Sequence, residues 1–400
     1  MIEASTRSFW KTTIALCIGS LIIFANVYFT QPILPVLSEE FNLSPLLASM
    51  SVSLVILALG ISLVFYGPIS DSIGRRGIMI MSIALSTVLT FSIAFSTSYE
   101  WFLTLRVVQG ISLAGLPALA VAYIGEEYSP RALTLAIGIY ISGNTIGGMF
   151  GRLLSGTMTD WFGWRSAFLT MSVVSLVLFL LFIVLLKPSQ HFQPKPFRWK
   201  EALHDYKGHL QNKYLWLAYL IGGLHFFIFV GHFNYVTYLL SGPPFHLSSS
   251  WIGALFLTYI AGTISSPVAG KLAERFHRTM CIKIGILIMM VGFLTTLIPH
   301  ISTIIIGLLF NCFGFFFAHS IASSWVNEKA AYAKASASGL YLISYYIGGS
   351  LGPLYLEPFW AVGKWFGVVL GCLIVLGVTS LCAWKLSKLE DSSEINHPTN

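Results

Sequence analysis

Residues 67–76 read GPISDSIGRR, a short charged turn that lies between two long apolar runs. Roughly 200 positions later, residues 270–278 read GKLAERFHR, a degraded copy in the same setting. Two matching charged turns, each joining two membrane-length segments, indicate a chain built from two similar halves. Halves of this kind can move against each other around a central site, so the pattern is typical of a carrier.

The composition indicates a membrane protein. Of the 400 residues, 56% are hydrophobic and only 10% are charged, whereas a soluble domain has roughly 25% charged residues. Apolar runs of about 20 residues, the length that spans a bilayer, recur from end to end. They should be helices, because lipid offers no hydrogen-bond partners to an exposed backbone.

We therefore predict an all-α integral membrane protein with twelve transmembrane helices in two pseudo-symmetric six-helix bundles. The predicted spans are 12–34, 45–66, 78–97, 101–124, 132–158, 166–186, 214–240, 251–269, 280–299, 302–325, 336–356 and 362–384. The first span is too long for a removable signal peptide, so it should stay as the first helix.

A second stretch supports the duplication, because six residues of the fifth span recur in the eleventh with one offset of 201 positions. They are Gly138, Tyr140, Ile146, Gly147, Gly148 and Gly151, which return as Gly339, Tyr341, Ile347, Gly348, Gly349 and Gly352. Glu127 and Glu328 share this offset. The register equates the first six spans with the last six.

The domain boundaries follow from this register. We predict an N-terminal six-helix bundle in residues 1–187, a basic cytoplasmic linker in 188–213, and a C-terminal bundle with a short cytoplasmic tail in 214–400. Residues around 198–210 are expected to form a short amphipathic helix at the membrane surface.

The net charge of +7 is explained by orientation in the membrane. Lys and Arg concentrate in the alternate loops on the side of the N-terminus, so by the positive-inside rule both termini are cytoplasmic. We expect a multi-pass protein of the bacterial inner membrane. Basic residues spread over loops do not form the stripe that nucleic-acid binding requires, so we expect no nucleic-acid partner.

The cysteines are assigned to packing. All five fall within predicted spans and show no paired metal spacing, so we expect no metal site. They are Cys17, Cys281, Cys312, Cys372 and Cys382.

The turn at 67–76, together with the repeat, resembles the Major Facilitator Superfamily. In that family the loop between helices two and three has a motif that begins with Gly, three variable residues and Asp. The motif continues with a basic residue, any residue, Gly, Arg and a second basic residue. The matching residues are Gly67, Asp71, Gly74, Arg75 and Arg76. Ser72 replaces one basic residue. The resemblance implies that Asp71 pairs across the halves and stabilises the outward-facing form, with Arg75 as a partner.

A carboxylate beside guanidinium groups forms a charge-assisted cluster, and glycines let helix ends approach closely. We therefore predict a conformational latch that also includes Glu274 and Arg278 of the second copy. The alternative is a topology signal without a latch.

Arg106, Gln109 and Gly110 in the fourth span resemble a second motif of the family, in which a membrane-embedded Arg is tied to proton coupling in antiporters. A central Arg costs roughly 2.5 to 3.5 kcal/mol on insertion scales, so it usually faces a wet cavity or a partner. Because Arg106 lies near the outer end of its span, snorkelling to the interface is the alternative.

The fifth span resembles the glycine-rich antiporter motif of the drug:proton exporters. The residues that carry this resemblance are Gly143, Asn144, Gly147, Gly148, Gly151 and Arg152. The pattern departs at Gly148, where the family has Pro, and at Arg152, where it has Gly. We expect the glycines to pack against a neighbouring helix, as should Gly348, Gly349 and Gly352 in the second half. Arg152 should be a fixed cation near the outer mouth that attracts anions.

No Asp or Glu lies in the middle of any predicted span. The first span contains Asn26, Tyr28 and Gln31 where cation-exporting members often place a deep carboxylate. A neutral or anionic polar substrate is therefore favoured over a lipophilic cation.

Proton carriers are then sought among the histidines, which titrate near neutral pH. His225 and His232 lie in the seventh span and His319 lies in the tenth. Asn234, on the same helix as His232, is a candidate substrate contact. For each of these residues the alternative is a structural hydrogen bond or simple packing.

The resemblance implies a secondary transporter nearest to the drug:proton antiporters, exporting a small polar organic compound, such as a drug or a metabolite, by alternating access. The alternatives are export of an anionic siderophore-like metabolite, uptake by proton symport, and a membrane receptor on the same scaffold. No nucleotide-binding loop or catalytic constellation is present, so we expect no enzyme. The expected partners are a small-molecule substrate and the bilayer, with protons as coupling ion, no other cofactor, and a monomeric state.

Overall fold

The computed structural model describes residues 1–4, 6–194 and 206–396, without the side chains of residues 335 and 390–396. The first half of the chain forms α1 (Arg7–Val27), α2 (Leu34–Phe41), α3 (Pro45–Ile73), α4 (Arg75–Ile93), α5 (Tyr99–Leu113), α6 (Gly115–Glu127) and α7 (Pro130–Leu185). The second half forms α8 (Lys213–Ser241), α9 (Ser249–Leu255), α10 (Tyr259–Ala273), α11 (Arg278–Thr295), α12 (Ile301–Lys329) and α13 (Lys334–Asn396). Short 3₁₀ turns at Gln31–Ile33 and Phe256–Thr258 precede α2 and α10.

Ten helical stretches of the described residues are long and apolar enough to cross a membrane. Two of them run over 56 and 54 residues, and each contains one residue of positive φ at which two helices meet. These residues are Gly163, with φ 81°, and Lys364, with φ 48°. Since one span needs about 20 residues, each of these stretches supplies two spans. The predicted all-α membrane fold with twelve spans is confirmed.

The chain divides into two compact units. The first unit comprises Met1–Arg198 and Leu240–Phe256, and the second comprises Trp199–Leu239 and Leu257–Asn400. The predicted boundaries at 187 and 214 stay predictions. Most of the predicted amphipathic helix at 198–210 lies outside the described residues, and its described part, 206–210, is helical.

The charged turn at 67–76 is tighter than the predicted loop. Helix α3 continues to Ile73, Gly74 alone connects it, and α4 begins at Arg75. Gly74 has φ 98°, a conformation that side chains with a Cβ rarely adopt. Asp71 therefore lies in the last turn of α3, and Arg75 opens α4 four residues later.

The first predicted span ends earlier than expected. Helix α1 stops at Val27, and the chain continues through the 3₁₀ turn into α2. Pro32 and Pro35 lie in this stretch, and proline has no N–H to continue a helical ladder. Because of the break, the last carbonyl groups of α1 lack the N–H partner four residues later that a continuing helix would supply.

Helices α1 and α7 pack at backbone distance. A Cβ added at Gly143, Gly147 or Gly151 would lie under 3.0 Å from a backbone oxygen of α1. The oxygens belong to Cys17, Leu21 and Ala25, in that order. Only glycine permits this approach, which recurs every four residues along one face of α7.

The second unit repeats this packing between α8 and α13. A Cβ at Gly348 or Gly352 would meet the backbone oxygen of Gly223 or Phe227, and one at Gly349 would meet the Phe226 ring. Gly148 differs, because the atom nearest to its Cβ would be Arg152 Nη1 at 3.2 Å.

Candidate functional site

The charged turn forms a compact ion cluster around Arg75. Its Nη2 donates to Asp71 Oδ1 at 3.0 Å and to Glu126 Oε1 at 2.6 Å, while its Nε donates to both Glu126 oxygens at 2.9 Å. Its Nη1 donates to Ser70 Oγ at 2.9 Å. The structure thus brings Asp71 and Arg75 together. Glu126 was missed by the sequence reasoning, although it is adjacent to Glu127, which the repeat singles out.

The other members of the predicted latch make weaker or separate contacts. Arg76 Nε donates to Leu186 O at 3.4 Å. In the second copy, Arg278 Nη2 lies 2.5 Å from Glu328 Oε2. Glu274 joins no ion pair within the described residues, and a Cβ at Gly67 would meet no atom within 4 Å.

Arg106 lies completely buried and donates to four oxygens. Its Nε donates to Ser51 O at 3.1 Å, and its Nη1 and Nη2 donate to Asn26 O and Val27 O at 3.0 Å each. Its Nη1 also donates to Gln109 Oε1. All four oxygens belong to neutral groups. Arg106 therefore does not snorkel to the interface.

The early end of α1 explains this placement. Carbonyl groups at a helix C-terminus carry partial negative charge and lack helical partners, so they attract a cation. Val27 O is such a group, and Asn26 O accepts a long bond of 3.5 Å from Phe29 N. The guanidinium of Arg106 caps both. The break in α1 thus supplies the acceptors that a buried cation requires.

A ring of polar side chains surrounds this cap. Thr90 Oγ1 donates to Asn26 Oδ1 at 2.7 Å, Gln109 Nε2 donates to Thr90 Oγ1 at 2.8 Å, and Asn26 Nδ2 donates to Ser175 Oγ at 3.2 Å. We call Asn26, Ser51, Thr90, Arg106, Gln109 and Ser175 the Arg106 cluster. Thr90 and Ser175 were missed, because single hydroxyl residues in apolar spans carry no distinctive spacing.

Arg152 is also buried, at 1% exposure. Its Nε donates to Gln31 Oε1 and its Nη1 donates to Gly148 O, both at 2.9 Å. The guanidinium carbon lies 4.2 Å from the centre of the Tyr28 ring and 4.4 Å from that of Phe256. The expected position near the outer mouth stays a prediction, and in this structure aromatic rings cover Arg152.

Asn144 lies in α7, about two turns before Arg152. Its Oδ1 accepts a hydrogen bond from Ser20 Oγ, so it ties α7 to α1 beside the glycine contacts. The hydrogen bond joins two helices of the first unit, and a role of Asn144 in the site stays a prediction.

The second unit has a different interior, built from aromatic rings and histidines. Phe226 stacks on Tyr345 with ring centres 3.7 Å apart, and Phe229 stacks on Phe315 at 3.9 Å. We call Phe226, Phe229, Phe315, His319, Tyr341 and Tyr345 the aromatic cluster. His319 Nδ1 lies 2.9 Å from the Tyr341 hydroxyl, and its ring centre lies 4.8 Å from that of Tyr345.

His225 and His232 are completely buried in α8. His225 Nε2 lies 3.3 Å from Thr379 Oγ1, and His232 Nδ1 lies 2.9 Å from Ile228 O. The other ring nitrogen of each has no hydrogen-bond partner among the residues that the structure describes. Asn234 is buried on the same helix.

The buried charges are unbalanced in the first unit. Among the described residues, the buried arginines are Arg106 and Arg152, and the buried carboxylate is Glu127. Glu127 lies at the end of α6, where it accepts from the backbone N–H groups of Gln190 and His191 at 2.7 and 3.0 Å. No group of three or more potential metal ligands forms within the described residues.

Comparisons with known proteins agree with this architecture. The sequence profile of the Major Facilitator Superfamily matches residues 16–353. The chain is 38% identical over 368 residues to the uncharacterized MFS-type transporter YybF of Bacillus subtilis strain 168, covering 92% of this chain and 91% of that protein. It is 39% identical over 387 residues to the inner membrane transport protein YnfM of Escherichia coli strain K12, covering 97% and 93%.

The fold is similar to the crystal structure of a bacterial homolog of the human lysosomal transporter Spinster in an inward-facing, unoccupied conformation. The TM-score is 0.75, with 17% sequence identity, and the match covers 96% of this chain and 98% of that chain. At this identity the likeness concerns the fold. The matched profile and the two relatives above 30% identity establish that the chain belongs to the Major Facilitator Superfamily, as a multi-pass membrane transporter and not an enzyme.

Proposed function

We propose that this transporter is a proton-coupled secondary carrier of the bacterial inner membrane that exports a small polar organic compound by alternating access. The observation that carries the substrate class is the charge inside the first unit. There Arg106 and Arg152 are buried, and none of the described residues in mid-span is a buried carboxylate. Such an interior repels a lipophilic cation.

Proton coupling is assigned to the second unit. His319 and Tyr341 form a hydrogen-bonded pair inside the aromatic cluster, and His225 is buried nearby on α8. Histidine changes its charge near neutral pH, so a single proton alters the field inside this unit. In the first unit, the guanidinium of Arg106 keeps its charge among neutral partners. It therefore supplies a fixed charge that complements the titrating histidines of the second unit.

A second candidate function is transport of an anion, such as a siderophore-like polycarboxylate, in either direction. The position of Arg152 favours it, because a guanidinium held by Gln31 and flanked by Tyr28 and Phe256 offers bidentate donors to a carboxylate once a ring moves away. Uptake by proton symport uses the same parts in the reverse direction.

Counterflow in proteoliposomes tests the proposal. Vesicles loaded in turn with a lipophilic cation, a neutral sugar and a tricarboxylate are diluted into the same labelled compound, and label accumulation is measured. We expect exchange of a neutral or anionic compound, and a pH gradient of the right sign should drive net flux that a protonophore abolishes.

The control is Arg165→Lys, which alters an exposed surface arginine that pairs with Glu40. Exchange of the lipophilic cation in preference to the other two compounds contradicts the substrate class. Net flux that ignores the pH gradient contradicts proton coupling. Two-sided cysteine labelling should also place both termini in the cytoplasm.

A further inference from the structure

Residues 240–256 connect two parts of the second unit but pack in the first. The preceding residues up to Leu239 and the following residues from Leu257 belong to the second unit. Within this segment, Leu247 N donates to Leu240 O at 2.7 Å and closes the turn that leads into α9. The chain therefore leaves one unit, docks on the other and returns.

The docking surface is one face of α7. Arg152, Gly156 and Asp160 follow one another at four-residue spacing, which places them along one side of the helix. A Cβ at Gly156 would come under 3.0 Å from Ser249 O, and a Cβ at Gly253 would lie 2.7 Å from Arg152 O. Two glycines, one on each side, thus let the backbones of α7 and α9 touch.

Asp160 holds the front end of α9. Its Oδ1 accepts from Ser249 N at 3.0 Å, and its Oδ2 accepts from Ser250 N at 2.8 Å. Ser248, at the N-cap position, makes no capping hydrogen bond with its side chain. A carboxylate from another helix therefore replaces the local cap, and it stabilises α9 only while α9 is docked.

The rear end of the segment has a hinge. The 3₁₀ turn Phe256–Thr258 interrupts the helix between α9 and α10, and the boundary of the units falls inside it, between Phe256 and Leu257. A short 3₁₀ stretch within a longer helix often marks a point of bending. Phe256 also lies over the Arg152 guanidinium, so the last docked residue covers that cation.

We propose that residues 240–256 are a clasp that shuts the predicted outer side of the transporter while docked on α7, with Asp160 as its positioning residue. This inference rests on the alternating access proposed above. Relative movement of the units must stretch the segment or release it, and the hinge allows release. Release uncovers Arg152.

A reporter thiol tests the clasp without a known substrate. In a background with the native cysteines replaced by serine, Ser155→Cys places a thiol beside Gly156 at a completely buried position. Its labelling by a membrane-impermeant maleimide is measured in right-side-out and inverted vesicles. Asp160→Ala should raise the rate from the predicted outer side by about threefold to thirtyfold, the range expected when a capping carboxylate is lost.

Matched variants separate the clasp from general loosening. Glu40→Gln breaks the 2.6 Å ion pair with Arg165 without touching the segment, and should leave the labelling rate unchanged. Gly156→Leu should act as a wedge and raise the rate. Unchanged labelling in both Asp160→Ala and Gly156→Leu overturns the proposal.

A crosslink links the clasp to transport. Asp160→Cys with Ser250→Cys should form a disulfide on oxidation and lower counterflow of the exchanged compound about tenfold or more, with recovery after reduction. Undiminished counterflow in the fully crosslinked protein overturns the role of release. If none of the three compounds exchanges in any variant while labelling responds as expected, the clasp stands and the proposed substrate class is wrong.

Discussion

The two units share the same close packing of helix backbones, but they bury different kinds of side chain. The first buries Arg106 and Arg152 among neutral oxygens and two aromatic rings. The second buries stacked aromatic rings with His319 hydrogen-bonded to Tyr341. Fixed positive charge therefore lies inside the first unit, and histidines lie inside the second.

The two halves share their close backbone contacts, whereas their side chains differ at corresponding positions. Gly147 and its counterpart Gly348 both face a backbone oxygen of the neighbouring helix. One turn further along, Arg152 of the first unit corresponds to Pro353 of the second. The contrast teaches that close helix packing is the shared requirement of both halves, whereas recognition and coupling can be divided between them.

The largest expected effect follows from removing the cation that caps α1. Arg106→Ala removes the hydrogen bonds that four buried oxygens accept from the guanidinium, and the loss at Val27 O alone should cost about 1–3 kcal/mol. The variant should therefore lower the thermal unfolding midpoint in detergent and abolish counterflow. Arg106→Lys keeps the charge but cannot reach four acceptors with one ammonium group, so its effect should be intermediate. Fluorescence-detected size exclusion after heating measures the midpoint. A stable, active Arg106→Ala protein would show that the first-unit charge is dispensable.

The next effect tests whether both units depend equally on close packing. Gly147→Ala and Gly348→Ala each place a methyl group against a backbone oxygen, and overpacking of this kind costs about 1–3 kcal/mol. Gly138→Ala and Gly339→Ala are matched controls, because a Cβ at either position would meet no atom within 4 Å. The thermal midpoint should fall in Gly147→Ala and in Gly348→Ala, and it should stay unchanged in the two control variants. A lower thermal midpoint in only one of the two glycine variants would show that the two units do not depend equally on close packing.

Much of the fold could be predicted from the sequence because apolar runs and a single offset of 201 residues are long-range patterns. The charged turn and the glycine-lined helix faces could be predicted for the same reason, because each recurs in the two halves of the sequence. The early break of α1 at Val27 could not be placed, since a proline permits a break at several positions nearby and tertiary contacts choose among them.

Site residues that belong to a sequence motif could be predicted. The burial of a residue, and its contacts with a neighbouring helix, could not. Arg106 and Gln109 were identified together and lie together. Arg152 was predicted near the outer mouth, but sequence alone could not show that the rings of Tyr28 and Phe256 would cover it. Asp160 carried no local signal, since its partners are backbone N–H groups about 90 residues later.

The third effect concerns the titratable unit. His319→Gln should retain counterflow and lose stimulation of net flux by a pH gradient, because glutamine keeps a polar contact to Tyr341 but cannot carry a proton. His277→Gln, at an exposed N-cap of α11, is the control and should leave both measurements unchanged. If the gradient still drives net flux through His319→Gln, the assignment of coupling to the second unit is wrong.

The smallest effects distinguish the two charged turns. Glu126→Gln weakens the main partner of Arg75 and should reduce transport more than Asp71→Asn, because the Asp71 side chain is 41% exposed and accepts one hydrogen bond from Arg75. Glu328→Gln in the second unit should change little, since that carboxylate is 51% exposed and exposed pairs contribute about 0–1 kcal/mol. Initial counterflow rates at equal protein density rank the three variants. A reversed order, with Glu328→Gln the most damaging, would assign the latch to the degraded copy and remove the asymmetry between the turns.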